Sequence, residues 1–109
     1  MKVAALIDDL FFVGKVRGVA QELGTDLTIC RSADAVPADT DRVFVDLNAS
    51  TFDAVAEIRT LSAQPAKPVI AFVSHVQVDL KNRAEQAGAT EVLPRSAFVQ
   101  RLPELLGKV

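Results

Sequence analysis

Short apolar runs alternate with amphipathic stretches along the whole chain, and these two patterns predict its elements. Val3-Ala4-Ala5-Leu6-Ile7 is a continuous apolar run, too short for a buried helix and partly β-branched, which predicts a strand over 2–7 buried on both faces. From Leu10 to Leu23 the apolar residues Val13, Val16, Val19, Ala20 and Leu23 recur at helical spacing, and Gly24 closes that helix. A second strand is predicted from Leu27 to Arg31. Ser32 to Asp41 holds Pro37 and several small polar residues, so this crossover is predicted as one turn plus loop, a shortened second helix. Arg42 to Leu47 reads as the third strand, and Phe52 to Leu61 as a helix with Phe52, Val55, Ile58 and Leu61 along one side. Pro65 and Pro68 bound a turn before the fourth strand, Val69 to Val73. Val78 to Ala87 is a helix ended by Gly88, Glu91 to Leu93 a short fifth strand, and Phe98 to Leu106 a last helix carrying Pro103.

Five strands joined by right-handed helical crossovers predict an α/β fold, a three-layer sandwich with a five-stranded parallel sheet in one domain over 1–109. Half the residues are apolar and about a quarter charged, which is ordinary globular composition. Lys and Arg are scattered singly and the formal net charge is -2, which argues against direct nucleic-acid binding, since that relies on concentrated positive charge. No apolar stretch approaches the roughly twenty residues that cross a bilayer, and Met1-Lys2-Val3 lacks the architecture of a signal peptide, so a cytoplasmic location is expected. The single cysteine, Cys30, lies among Leu27 and Ile29 and is expected to be a buried, inert thiol.

The chemistry concentrates at strand ends. The first apolar run leads into Asp8 and Asp9, and Val43-Phe44-Val45 leads into Asp46. If those strands are parallel neighbours, the three acids converge at the carboxyl edge of the sheet, where ligands bind in open α/β folds. Three carboxylates so close need a divalent cation, a basic side chain or protonation to compensate them. Asp9 taken singly also suits the N-cap of the first helix. Gly14 and Gly18 are expected to allow close packing of that helix on the sheet. Of Leu10, Phe11 and Phe12, a helix cannot bury all three, so one is expected to be exposed near the acids. His75 has no second His or Cys at ligand spacing and is expected to be solvated, as are Lys81, Arg83 and Glu85.

Several anchors in order give a resemblance that covers essentially the full length. They are Asp8-Asp9, Asp46-Leu47-Asn48 with Asp53 beyond, Pro68-Val69-Ile70, Ala87-Gly88-Ala89, and Val92-Leu93-Pro94-Arg95. With them the chain resembles the CheY-like receiver domains of bacterial two-component response regulators. The resemblance implies a flavodoxin-like sheet of order 2-1-3-4-5. It implies Asp46 as phosphoacceptor, Asp8 and Asp9 as magnesium-binding carboxylates, and the Asn48 backbone carbonyl as a further ligand beside Asp46. As partners it implies a histidine kinase or other signalling protein, and it leaves room for a homodimer.

The departures are as informative. The switch hydroxyl on the fourth strand falls on Val73, with Ser74 next door but on the alternate face. The aromatic switch on the fifth strand falls on Val92, and the family's lysine position holds Arg95, followed by Ser96 where a proline is usual. Ala49-Ser50-Thr51 stands where the family usually has a Met-Pro turn. A guanidinium never loses its charge and can grip a carboxylate through a planar fork, so Arg95 is a candidate to occupy Asp46 permanently. Three functions therefore compete: a phosphorelay receiver, a pseudo-receiver scaffold with Arg95 clamped on Asp46, and a small magnesium-dependent phosphohydrolase or nucleotide or flavin binder. The last is disfavoured because Asp8-Asp9-Leu10 stands where a glycine-rich phosphate loop would follow the first strand.

Overall fold

The apolar runs form a fully parallel sheet whose three inner strands are covered on both faces, while the two edge strands stay partly exposed. A computed structural model describes residues 1–63, 67–74 and 77–107. Its strands are β1 (Lys2–Leu6), β2 (Asp26–Cys30), β3 (Arg42–Asp46), β4 (Val69–Val73) and β5 (Glu91–Pro94), in the order β2-β1-β3-β4-β5. Around them lie α1 (Leu10–Leu23), α2 (Ala54–Ala63), α3 (Val78–Ala87), α4 (Arg95–Gln100) and α5 (Leu102–Leu106). The crossover between β2 and β3 carries only a short 3-10 turn at Ala33–Ala35, the trimming expected from Pro37 and its polar neighbours.

Side chains alternate between two cores, as strand geometry requires. Ala4, Leu6, Val43, Val45, Val69, Ala71 and Val73 face Val55, Ile58 and Leu61 of α2 and Ala84 and Ala87 of α3. Val3, Ala5, Phe44, Ile70 and Phe72 face Phe12, Val13, Val16 and Ala20 of α1, with Phe98, Leu102, Leu105 and Leu106 of α4 and α5. On that second side Phe72 stacks on Phe98 at 4.3 Å between centroids, and Phe12 leans on Phe72 at 5.0 Å. The register pairs Leu6 with Val45 and Asp46 with Phe72, so the chain leaves β1 through Asp8 and Asp9 beside the end of β3.

Four local expectations are corrected. The last helix, expected as one piece over 98–106, is two short helices that begin at Arg95 and meet at Arg101, whose φ of -91° and ψ of 2° interrupt the helical run. Pro103 then stands in the first turn of α5, where its missing N–H costs nothing. The helix expected from Phe52 starts at Ala54, because the Asp53 carboxylate accepts from the Ala56 N–H and caps it. Gly14 and Gly18 do not pack on the sheet: they lie on the exposed side of α1, opposite the buried stripe of Phe12, Val13, Val16 and Ala20. Two of the three apolar residues opening α1 are exposed, Leu10 at 82% and Phe11 at 94%, and only Phe12 turns inward. Cys30 is buried as expected, and burial pushes its thiol above its ordinary value. Lys81, Arg83 and Glu85 are exposed, whereas Pro65 and His75 lie outside the described residues.

The glycines that end α1 and α3 adopt left-handed backbone, Gly24 at φ 69° and Gly88 at φ 117°. Only Gly88 is also crowded, because a Cβ there would overlap the Ser62 side chain. Gly88→Ala is therefore expected to cost about 2 kcal/mol or more in denaturant unfolding, from backbone strain plus overpacking. Gly18→Ala is expected to stabilise by about 0.5–1 kcal/mol, since an exposed mid-helix glycine carries an entropic cost that alanine removes. Equal effects of the two substitutions would contradict this reading of their surroundings.

Candidate functional site

The carboxyl edge of the sheet assembles three loops and the start of α4, and each polar side chain there has a partner from a different loop. Asp46 ends β3 with 2% of its surface exposed. Its Oδ1 accepts from the Asn48 N–H at 2.9 Å, a turn closed two residues downstream. Its Oδ2 lies 3.4 Å from Arg95 Nη2. The other terminal nitrogen, Nη1, lies 3.5 Å from Asp9 Oδ2. Asp9 also caps α1, as one of its two expected roles required, its Oδ1 accepting from the N–H groups of Phe11 and Phe12. The clamp anticipated for Arg95 thus takes the form of a bridge, one nitrogen to each acid, and not a fork on Asp46 alone.

Arg95 is held in that bridge from below. Its guanidinium carbon sits 4.4 Å from the Phe12 ring centroid and 5.7 Å from that of Phe72, a stacking that favours a weakly hydrated planar cation. Its Nε is buried with no hydrogen-bond partner among the described residues. Phe12 is the member of the exposed apolar triplet that turns inward, and this second use as a floor for Arg95 carried no signal in the sequence.

Asp8 does not point at the other two acids' cation. Its Oδ2 accepts from the Ser50 N–H, the Thr51 N–H and the Thr51 hydroxyl, each at 2.9 Å, and so staples the loop after β3 to the end of β1. Those bonds, the Thr51 N–H foremost, hold the Asp8 carboxyl below its ordinary value of 3.8. Asp46 moves the other way, above 3.8. Burial disfavours its anion more than the Asn48 N–H and the Arg95 charge favour it, and Asp8 and Asp9 add to the rise.

Asn48, chosen from the sequence for its backbone carbonyl, has a side chain with its own partners. Oδ1 accepts from the Ser74 N–H at 2.6 Å and the Ser74 hydroxyl at 2.9 Å, while Nδ2 donates to Gln77 Oε1 at 2.8 Å. Ser74 therefore addresses Asn48, while Val73 and Val92 are buried in the core between the sheet and α2 and α3. The link to Gln77 was invisible in the sequence because nothing in local pattern pairs residues 29 positions apart.

A divalent cation would have to displace Arg95 to reach Asp9 and Asp46 together. Arg95 already stands between Asp9 and Asp46, one oxygen of Asp8 is filled by three donors, and among the described residues no three His, Cys, Asp or Glu side chains are placed to hold a metal.

The sequence matches no family model and no curated protein. The fold does have solved counterparts. A response regulator protein from Burkholderia pseudomallei, solved with a phosphorylated aspartic acid, calcium ion and citrate, superposes with TM-score 0.79 at 17% identity. That match covers 98% of this chain and 66% of the other. The Mn(2+)-bound form of response regulator Rcp1 gives TM-score 0.79 at 13% identity over 99% of this chain and 96% of its own. A response regulator receiver domain protein from Clostridium thermocellum gives TM-score 0.80 at 18% identity over 96% and 90%. The chain has the CheY-like receiver fold, with the sheet order expected from the sequence.

Opposite shifts at Asp8 and Asp46 give opposite pH signatures. Asp46 binds its proton more tightly folded than unfolded, so its contribution to stability is fully present below 3.8 and is lost as pH rises through its native value. Asp46→Asn is accordingly expected to be more stable than the parent at neutral pH, with the advantage vanishing under acid conditions. Asp8 contributes above 3.8 and loses that contribution as pH falls through its native value, so Asp8→Asn should be weaker at neutral pH and converge with the parent in acid. Denaturant titrations at stepped pH check both, and an unchanged or lower neutral stability of Asp46→Asn would contradict the first.

Proposed function

We propose that the chain is a non-enzymatic signalling module of the receiver type, acting through protein–protein contact, whose acidic pocket is neutralised from within by Arg95. On this reading Asp46 needs neither magnesium nor a phosphoryl group to reach its working arrangement, and the domain is a pseudo-receiver held in one state. The observation that carries it is the Arg95 bridge between Asp9 and Asp46 on its Phe12 floor. Support also comes from Asp8, whose Oδ2 is committed to the loop at Ser50 and Thr51. The pair Val73 and Val92 offers no polar contact that differs between two states, and a shift between states requires differential contacts. No described helix is long and apolar enough to cross a membrane, which fits a partner met in solution.

The phosphorelay reading, with Asp46 as acceptor, a histidine kinase as donor and magnesium held by Asp8, Asp9, Asp46 and the Asn48 carbonyl, keeps one specific support. Arg95 holds its two acids at 3.4 and 3.5 Å, contacts long enough that its withdrawal breaks no short hydrogen bond. A phosphorylated aspartic acid in the Burkholderia pseudomallei structure belongs to the same fold.

The two readings separate on treatment with magnesium and acetyl phosphate, or with beryllofluoride. The pseudo-receiver is expected to show no phosphoryl adduct by intact mass and no amide shift at residues 46–48. An adduct that disappears in Asp46→Asn would establish the phosphorelay reading instead. Arg95→Gln is expected to lower stability by about 1–3 kcal/mol above the carboxylate range, the cost of leaving one oxygen of a buried carboxylate unpaired, and to lose that penalty in acid as Asp46 takes up a proton.

A further inference from the structure

The position that would read the pocket directly is Val73, which has no hydroxyl, and the neighbouring Ser74 hydroxyl donates to Asn48 and not to Asp46. Asn48 thereby stands between the buried carboxylate and the β4–α3 connection. Its N–H donates to Asp46 Oδ1 at 2.9 Å, its Oδ1 takes both Ser74 donors at 2.6 and 2.9 Å, and its Nδ2 reaches Gln77 Oε1 at 2.8 Å. Ser74 follows the last residue of β4, and Gln77 immediately precedes α3. Asn48 therefore joins the Asp46 carboxylate to both ends of that connection, its backbone N–H bound to Asp46 and its side-chain carboxamide bound to Ser74 and Gln77.

We infer that Asn48 is a positioning residue that couples the charge on Asp46 to the placement of Ser74 and Gln77, an indirect route in place of a hydroxyl at 73. A hydrogen bond to an ionised acceptor is shorter and stronger than one to a neutral group. Removing the charge on Asp46 loosens its hold on the Asn48 N–H. Because main chain and side chain of Asn48 move together, the Ser74 and Gln77 bonds are displaced with it. A competing route exists along the sheet, where the Leu47 N–H donates to the Phe72 carbonyl at 2.9 Å. The coupling concerns the charge of Asp46 whatever alters it, so it stands apart from the question of phosphorylation.

The test is a cycle of amide chemical shifts on the whole chain, without metal or phosphate. Asp46→Asn is expected to shift the Ser74 and Gln77 amides. In the Asn48→Ala background the same substitution should move them by about a third as much or less, while Phe72, reached along the sheet, keeps its response in both backgrounds. Gln77→Ala cuts only the second branch, so the response at Val78 should fall while that at Ser74 remains. A Ser74 response of equal size with and without the Asn48 side chain overturns the proposal. Should Asn48→Ala fail to fold, an undiminished Val78 response in Gln77→Ala overturns it instead.

Discussion

A carboxylate with 2% of its surface exposed, at the end of a strand buried on both faces, is the constraint around which this molecule is arranged. Burying a charge without a partner is costly, and Asp46 meets that cost with one backbone N–H and one guanidinium. The guanidinium is shared with Asp9, which is itself committed to the N-terminus of α1. Satisfying Asp46 therefore ties the first loop, the third strand and the start of α4 to one point. Burial still outweighs both favourable contacts and raises the Asp46 carboxyl above its ordinary value.

The same economy runs through the surrounding loops. Asp8 spends one oxygen on three donors of the Ser50–Thr51 turn, and Asn48 spends its amide on Ser74 and Gln77. Side chains at the sheet edge thus hold the surrounding loops together. Beneath them Phe12, Phe72 and Phe98 form a continuous aromatic layer, which gives Arg95 a face to stack on and fixes α1 and α4 against the sheet. The bridge, the loop contacts and the aromatic layer tie the pocket together, and its stability and its proposed single state have the same origin.

Above that pocket the opening of α1 presents Leu10 and Phe11 to solvent, a small apolar surface beside the bridge. On the same outer side lie Gly14 and Gly18, where an added Cβ would meet nothing. The inner face carries all of the packing through Phe12, Val13, Val16 and Ala20. Two faces of one helix therefore answer to different demands, the core on one side and solvent on the other, and the expectation that the glycines served the core misassigned them.

What the amino-acid sequence determined by itself was the architecture. Apolar runs buried on both faces, helical repeats closed by Gly24 and Gly88, and the broken stretch around Pro37 lead to a parallel five-stranded sheet with a shortened second crossover, because burial on two faces and the chirality of crossovers leave few alternatives. It also placed Asp8, Asp9, Asp46 and Arg95 at one edge. The break of the last helix at Arg101 and the start of α2 at Ala54 were beyond it, since single caps and backbone angles decide such ends. Only the tertiary structure decided how each polar group is used: Asp8 on Thr51, Asn48 on Gln77, Arg95 across two acids and over Phe12. Those contacts join residues tens of positions apart, and their geometry depends on side-chain direction at loop ends, which no periodicity in the chain encodes.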